Sequence, residues 1–282
     1  MKIAVITDEI SQNIDTAASL AAKYNLDAIE IRSVNDRAPH ELTEEDVAEI
    51  KAAMKKYGLG CCGISAPVFK CDLTEENVAA HTEILKKCIK LAHELGTDNI
   101  RGFTFFKGAE LPDIVEAIRS IIYILKEENV KLLLESDPTL NASCGKTLAE
   151  VIKAVDSPYV RGLWDPGNDL YSPEGEIPFP DGYGYMRGLV AHVHLKDAVN
   201  TDGKTEGVAF GTGELDFIGQ YNALKEDGYD GYLVMETHYR KKIAISDDLL
   251  VHPKGSDFSE GGYDATEECL QNLFKLIGGT NE

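Results

Sequence analysis

Short apolar runs alternate along the chain with longer segments in which apolar residues recur every three or four positions. The short runs, such as VKLLLE and GYLVME, predict buried strands, whereas the longer segments predict amphipathic helices. The predicted strands lie at 2–7, 27–32, 59–66, 98–103, 130–135, 160–165, 190–195 and 231–236. The predicted helices lie at 13–24, 43–56, 74–95, 112–127, 144–155, 181–188, 214–227 and 264–277.

The alternation of strands and helices predicts an α/β fold with a parallel sheet. Eight strands favour a single (β/α)8 TIM barrel over residues 1–282, since such barrels are typically about 250 residues long. An open doubly wound sheet is the alternative, but that fold usually has a glycine-rich loop after its first strand, and TDEISQN contains no glycine. Two connections are long, 169–188 and 237–263, so the expected barrel has a long loop after strand eight.

Local signals mark several helix ends. Thr43 and Thr74 each open a helical pattern with acidic residues in the first turn, which predicts that they are N-caps. Gly58 and Gly96 follow helical segments, at the position where a C-terminal glycine is expected. These signals support the element boundaries independently of the apolar pattern.

Composition and charge narrow the expected partners. The net charge is −20, whereas binding to phosphate requires a basic surface, so neither nucleic acid nor an anionic membrane is an expected partner. Six cysteines without a CxxC pair predict reduced thiols and a cytoplasmic location, with Cys61 and Cys62 in the core. The start MKIAVITDEI does not have the pattern of a signal peptide, and no apolar run reaches the roughly 20 residues that span a membrane.

Candidate chemistry concentrates at the ends of the last four predicted strands, where Glu135, Asp165, His194 and Glu236 lie. Barrel active sites form at the carboxyl ends of strands, so these side chains are expected to meet. Three carboxylates and one imidazole suit Mn²⁺, Mg²⁺ or Co²⁺ better than Zn²⁺, which remains an alternative. The competing interpretation is that these residues only cap helices, and for Asp165 the turn sequence WDPGN supports it.

The segment HVHLKD at 192–197 adds further polar groups. Side chains alternate along a strand, so His192, His194 and Lys196 share one face. His192 is expected to orient a ligand, to contact substrate or simply to pack. Lys196 is a candidate catalytic and substrate-binding residue, because an ammonium group can stabilise an oxyanion or bind a hydroxyl.

Several loop residues are weaker candidates for substrate contact. Asn168 and His238 follow the ends of strands six and eight, and each could equally serve a turn or the loop surface. Glu9, Arg32 and Lys70 lie at or just after the first three strands. Glu9 is retained as a candidate contact, although a solvated loop charge is the ordinary expectation for all three.

The order and spacing of several motifs carry a resemblance to a known family. The motifs are TDEIS, EIR, LLLES, WDPGN, HVHLKD, GTGELDF and METH, in that order along the chain. In them the chain resembles the xylose isomerase-like TIM-barrel superfamily, in its sugar phosphate isomerase/epimerase branch, over nearly its full length. The resemblance implies one divalent metal, with Mn²⁺ as the first expectation, held by Glu135, Asp165, His194 and Glu236. It also implies that Glu135 and Glu236 act as acid and base on the two sides of a bound sugar.

The implied activity is isomerisation or epimerisation of a sugar or sugar phosphate, by proton abstraction next to a carbonyl through a metal-bound enediolate. Free-ketose 3-epimerases of the superfamily typically carry a glutamate six residues after the strand-five ligand and an arginine shortly after the strand-seven histidine. This chain has Asn141 at the first place and HLKDAVN at the second, closer to hydroxypyruvate isomerase, pentulose-phosphate epimerase and inosose dehydratase relatives. The alternatives are a metal-dependent lyase or dehydratase of an inosose-like or keto-glycoside substrate, and a non-catalytic metal-containing subunit.

The expected partner is a small carbohydrate, and association into a homo-oligomer is a further expectation. The segment 240–262 contains aliphatic residues at 243–245 and 249–251, which is unusual for a solvated loop. We therefore expect this segment to pack over the barrel mouth or against a second subunit. A solvated surface excursion is the alternative.

Overall fold

A computed structural model describes residues 1–242, 245, 246, 248, 249, 253 and 255–278. The strands are β1 Lys2–Ile6, β2 Ala28–Ile31, β3 Gly60–Val68, β4 Asn99–Gly102, β5 Lys131–Glu135, β6 Val160–Trp164, β7 Val190–Leu195, β8 Asp197–Thr201, β9 Lys204–Val208 and β10 Tyr232–Met235. The helices are α1 Ile14–Lys23, α2 Glu44–Tyr57, α3 Glu75–Leu95, α4 Leu111–Arg119, α5 Ile122–Glu127, α6 Gly145–Val155, α7 Pro166–Leu170, α8 Tyr183–Met186, α9 Phe217–Glu226, α10 Gly255–Ser259 and α11 Gly262–Gly278. Short helical turns occur at Thr7–Glu9, Pro39–Glu41 and Pro178–Gly182. None of the helices in these described residues has the length and apolar character needed to cross a membrane.

Eight parallel strands close into a barrel in the order β1, β10, β7, β6, β5, β4, β3, β2. The predicted (β/α)8 TIM barrel is confirmed, and the open doubly wound sheet is excluded. In this order the last four barrel strands along the chain, β5, β6, β7 and β10, are consecutive neighbours. Because parallel strands end on the same side of a barrel, whatever follows each of these strands lies at the face where such folds carry their chemistry.

The chain divides by internal packing into two compact units. The split unit comprises residues 1–62 and 194–282, and the contiguous unit comprises residues 63–193. In the split unit β1 pairs in parallel with β2 and with β10, so that Val5 is in register with Ile29 and Met235. The prediction of one domain over the whole chain stays a prediction.

The contiguous unit contains the parallel pairs β3–β4, β4–β5, β5–β6 and β6–β7. Glu135 of β5 is in register with Leu163 of β6, one residue short of the end of β6. Most residues of these strands are buried, as expected for parallel strands covered by helices, and the buried positions include the charged residues Arg101 and Glu135.

The predicted helix ends are confirmed. The Thr43 side chain accepts a hydrogen bond from the Asp46 amide at 3.2 Å, and the Asp46 carboxylate accepts one from the Thr43 amide at 2.8 Å, forming a capping box at the start of α2. The Thr74 hydroxyl caps α3 by accepting a hydrogen bond from the Asn77 amide at 3.2 Å. Gly58 and Gly96 are left-handed, with φ of 69° and 77°, a conformation that favours glycine at a helix end.

Several elements differ from the prediction, which did not include the short helices α7 and α10. The single helix predicted at 112–127 is two helices, α4 and α5, which meet at Ser120 and Ile121, where the backbone of Ile121 has φ of −105° and ψ of −1°. The antiparallel hairpin β8–β9 was not predicted. Its signal was present, since the left-handed pair Asp202–Gly203 lies at its tip, and Asp-Gly is a strong hairpin turn sequence.

The segment predicted to close over the barrel mouth lies partly outside the described residues. Ile243, Ala244, Leu250 and Val251 belong to that undescribed part. Its later portion, α10, packs in the split unit, where Ser259 Oγ donates to the Asp8 carbonyl at 2.7 Å. This contact joins α10 to the helical turn Thr7–Glu9 directly after β1.

Candidate active site

In the contiguous unit, Glu135 ends β5 as a buried side chain. Its Oε2 accepts a hydrogen bond from Arg101 Nη1 at 3.2 Å, and its Oε1 accepts one from Asn168 Nδ2 at 3.5 Å. Arg101 is also buried, and it donates to the carbonyls of Ser65 and Ala66. Arg101 was not predicted as a site residue, although a charge within the predicted strand 98–103 was an available signal.

Asp165 directly follows β6 and is fully buried. Its Oδ1 accepts a hydrogen bond from the Asn168 amide at 3.2 Å, so it caps α7. Asn168 Nδ2 donates in addition to the Ser136 carbonyl at 2.8 Å, which joins α7 to the end of β5. One oxygen of Asp165 lies within 4.8 Å of one from Glu135. Asp165 therefore caps α7 and also lies beside Glu135.

Asn141, at the position where the resemblance predicts glutamate in free-ketose 3-epimerases, is held by backbone groups. Its Oδ1 accepts hydrogen bonds from the amides of Gly108 and Ala109 at 3.0 and 3.2 Å. Its Nδ2 donates to three carbonyls, those of Thr104, Phe105 and Phe106. This side chain joins the loops that follow β4 and β5, and its hydrogen-bonding capacity is used for that purpose.

Asn141→Ala is expected to lower the free energy of unfolding by about 2–4 kcal/mol, because buried backbone groups lose their partners. Urea denaturation followed by circular dichroism measures this change. Asn77→Ala is the control, since Asn77 Nδ2 makes a single exposed bond to the Asp72 carbonyl. A loss at Asn141 no larger than that at Asn77 would show that the network contributes little.

Two carboxyl groups share the start of α6. Asp169 Oδ2 accepts a hydrogen bond from the Gly145 amide at 3.3 Å, and Glu176 Oε1 accepts one from the Lys146 amide at 3.2 Å. Asp169 is 1% exposed. Burial and the neighbouring charge of Glu176 raise the pKa of Asp169 well above its ordinary value. The folded protein therefore holds a proton on Asp169 more tightly than the unfolded chain does.

Asp169→Asn should become stabilising relative to the wild type as pH rises. As pH rises from the ordinary carboxyl pKa to the raised pKa of Asp169, the wild-type free energy of unfolding decreases. The reason is that the folded state binds more protons than the unfolded state in that pH range. Asparagine does not titrate, and its amide oxygen can still accept from Gly145. Urea denaturation at about pH 5 and about pH 8 tests this expectation. Parallel pH profiles for the two proteins would contradict it.

In the split unit, Glu236 directly follows β10 and is buried. Arg32 Nη1 donates to Oε1 at 2.7 Å, Lys196 Nζ donates to Oε2 at 2.8 Å, and His194 Nδ1 lies 3.4 Å from Oε2. Burial disfavours the charged carboxylate, but the neighbouring groups Lys196, His238 and His194 together outweigh it, so the pKa of Glu236 is held well below its usual range. Glu236 is therefore in direct contact with His194 and Lys196, and all three residues were predicted from the sequence.

His194 lies between two carboxyl groups. Its Nε2 is 3.0 Å from Glu30 Oε1, and its Nδ1 faces Glu236. When Glu30 is ionised it can only accept a hydrogen bond, which favours a proton on Nε2, and the Glu236 carboxylate likewise favours a donor at Nδ1. A carboxylate in this position orients metal-binding histidines in many proteins. Glu30 was not selected from the sequence, although it is a charge within the apolar strand AIEI.

The expectation of solvated charges is wrong for Glu9, Arg32 and Lys70. Glu9 is 0% exposed and Arg32 is 3% exposed, because they neutralise each other at 2.8 Å. Arg32 also binds Asp8 at 2.9 Å. The Lys70 side chain is 10% exposed and forms an ion pair with Asp137 at 2.9 Å. Mutual pairing makes burial of these charges tolerable, and a single sequence does not show such pairs.

His238 lies beside the same carboxylates. Its Nε2 is 3.7 Å from Glu9 and its Nδ1 is 3.9 Å from Glu236. Burial lowers the pKa of His238 to about 4, so the imidazole is neutral near pH 7. Glu9, Glu236 and His238 form a buried cluster whose ligand atoms lie within 4.8 Å of one another, a donor set that could hold a metal ion. Arg32 bridges the two carboxylates of this cluster.

Asp197, which ends the HVHLKD motif, organises the glycine-rich motif GTGELDF. Its carboxylate accepts hydrogen bonds from the amides of Gly211, Gly213 and Leu215 as well as from Ala198. A Cβ at Gly213 would lie 2.2 Å from Asp197 Oδ1, so glycine is required there. The two motifs therefore form one structural unit after β7.

Most of the predicted site residues converge within the two units. In the contiguous unit the structure brings together Glu135, Asp165 and Asn168. In the split unit it brings together Glu9, His194, Lys196, Glu236 and His238. His192 is buried on β7 in register with Leu163, and its contact with substrate stays a prediction.

Comparison with known proteins identifies the family. The sequence model of the xylose isomerase-like TIM barrel family matches residues 18–261. The chain belongs to this family. The resemblance seen in its strand-end motifs is thereby confirmed.

Individual relatives are distant. An uncharacterised protein of Methanocaldococcus jannaschii is 22% identical over 257 residues, covering 86% of this chain and 85% of that protein. The inosose dehydratase of Clostridium tetani is 25% identical over 146 residues, covering 46% of this chain and 48% of the enzyme. The crystal structure of a D-allulose 3-epimerase from Methylomonas sp. superposes with a TM-score of 0.73 at 17% identity, covering 98% of each chain. At this identity the structural likeness shows the fold.

Proposed function

We propose that this protein is a divalent-metal-dependent isomerase or epimerase of a small sugar or sugar phosphate, with Glu135 and Glu236 as its acid–base pair. The observation that carries the proposal is the barrel order, in which β5, β6, β7 and β10 are consecutive neighbours. Each of these strands has a buried candidate ligand at its end. Glu135 is the last residue of β5, and His194 is the last but one of β7. Asp165 and Glu236 directly follow β6 and β10. A merely structural use of polar residues at strand ends does not require three carboxylates and an imidazole on four adjacent strands.

The proposed metal ligands are Glu135, Asp165, His194 and Glu236. Oxygen donors with one imidazole suit Mn²⁺ first, then Mg²⁺ or Co²⁺, and Zn²⁺ is also compatible. The Glu30 carboxylate 3.0 Å from His194 Nε2, which can orient the imidazole ring, supports this ligand set. Bound there, the cation would polarise a substrate carbonyl and offset negative charge on the substrate oxygens.

The chain's own residues supply the proton transfers. Glu236 is ionised near neutral pH, so it can remove the proton from the carbon next to the carbonyl. The electrons of that C–H bond form the new C=C bond, and the carbonyl oxygen gains negative charge, which Lys196 offsets. Return of a proton to the opposite face by Glu135 gives the epimer. Return to the neighbouring carbon gives the aldose–ketose isomer.

A lyase is the second candidate function. It would use the same proton abstraction and then expel a hydroxyl group from the next carbon. The observation that favours it is Asn141, whose side chain is bound by the backbone and offers no carboxylate at this position. The partial similarity to an inosose dehydratase supports the same candidate.

A substrate panel separates these functions. Purified protein with Mn²⁺ should convert at least one ketose from tetrulose to hexulose, with or without phosphate, when product is followed by chromatography. Exchange of solvent deuterium into the substrate carbon marks proton abstraction, and loss of water marks the lyase. A protein that neither exchanges deuterium nor forms product across sugars, sugar phosphates and inososes would refute the proposal.

A further inference from the structure

Phe258, in α10, packs against the charged groups of the split unit. Its side chain is 1% exposed. The guanidinium carbons of Arg32 and Arg240 lie 4.8 and 5.0 Å from the centre of its ring. His238 meets the same ring edge-on at 5.6 Å. An aromatic face at this distance attracts a guanidinium group and also restricts where its plane can lie.

Arg32 is the residue whose orientation this contact controls. Its three nitrogen atoms each donate to a carboxylate: Nε to Asp8 at 3.0 Å, Nη1 to Glu236 at 2.7 Å and Nη2 to Glu9 at 2.8 Å. The guanidinium group is planar, so these bonds can form together in one orientation of the plane. A ring packed against that plane favours the orientation in which Nη1 meets Glu236.

Hydrogen bonds also attach α10 to the split unit, independently of the aromatic ring. Ser259 Oγ donates to the Asp8 carbonyl, and Gln12 Nε2 donates to the Gly255 carbonyl at 3.2 Å. Ser256 also donates to Asp36 through its hydroxyl at 2.8 Å. A smaller side chain at 258 would therefore leave α10 attached while removing the face against Arg32.

We infer that Phe258 is a positioning residue, which holds Arg32 against Glu236 and thereby fixes the carboxylate orientation that the site uses. Its effect on metal binding and turnover rests on the proposed function, whereas its effect on Arg32 does not. Phe258 acts through Arg32 and touches neither substrate nor the reacting atoms.

The test compares Phe258→Leu with Phe210→Leu as a matched control. Phe210 is also a buried phenylalanine, but it packs on Phe217. A crystal structure of Phe258→Leu should show Arg32 Nη1 no longer within hydrogen-bond distance of Glu236 Oε1. Calorimetric titration with Mn²⁺ should show weaker binding by about 10–100-fold, as is typical when a group that orients a metal ligand is removed. Phe258→Tyr keeps the ring and should bind Mn²⁺ as the wild type does.

Each outcome decides the inference. A Phe258→Leu structure that retains the Arg32–Glu236 bond overturns it, as does an equal loss of Mn²⁺ affinity in Phe210→Leu. If the wild type does not bind Mn²⁺, the proposed function fails, but the bond distance in the Phe258→Leu structure still decides the positioning role. Wild-type Mn²⁺ affinity in Phe258→Tyr together with weaker Mn²⁺ affinity in Phe258→Leu supports the inference.

Discussion

Glu236→Gln is expected to lower kcat by at least about 100-fold, since general acid–base catalysis contributes typically 10²–10⁴-fold. Glutamine keeps the shape of the side chain and one oxygen that can accept from Arg32, but it cannot take up a proton. The change also leaves Arg32 and Lys196 facing a neutral amide in a buried site. We therefore expect a lower urea midpoint together with an unchanged far-ultraviolet circular dichroism spectrum.

Glu267→Gln is the control for this variant. Glu267 forms an ion pair with Lys23 in which the Glu267 side chain is 22% exposed, so its loss tests removal of a glutamate charge outside the site. Both proteins are measured with the substrate identified by the panel and with saturating Mn²⁺. Activity of Glu236→Gln within about tenfold of the wild type would remove Glu236 from the acid–base role.

Removal of metal is expected to abolish activity. Dialysis against a chelator should leave less than about 1% of turnover, because both the polarised carbonyl and the offset of negative charge are lost. Addition of Mn²⁺ should restore it and raise the free energy of unfolding by about 2.7 kcal/mol when free metal is 100 times its Kd. Full activity in chelated, metal-free protein would show that the chemistry does not use a cation.

Asp165→Asn separates the metal-binding role of Asp165 from its capping role. The asparagine oxygen can still accept from the Asn168 amide, so α7 keeps its cap. The expected result is metal-free stability close to that of the wild type, with Mn²⁺ affinity at least about tenfold weaker. If metal affinity were unchanged, Asp165 would be a cap and not a ligand.

The strand ends were predictable because their pattern is local. Apolar runs predicted the strands, and the alternation of side chains along a strand predicted that His194 and Lys196 share a face. The barrel fold then implied that Glu135 and Glu236 lie at the same end of the barrel. Capping at Thr43 was predictable for the same reason, since donor and acceptor are three residues apart.

Buried cations were not predictable in this way. Arg32 and Glu236 are 204 positions apart, and whether either is solvated depends on the other. Arg101 and Glu135 are 34 positions apart and present the same difficulty. A charge in an apolar strand indicates that some partner exists, but the partner follows from the three-dimensional pairing of strands.

The residues of the two units become available for folding at different stages of synthesis. The contiguous unit is one uninterrupted stretch, 63–193, so its strand pairs can form as soon as that stretch leaves the ribosome. The split unit needs 1–62 and 194–282 together, and β1 gains its β10 neighbour only after position 232 has been made. Until then Arg32 lacks Glu236, and the nascent protein carries β1 with one edge unpaired. A chaperone that binds exposed strand edges would therefore have β1 available as a binding site until β10 has been synthesised.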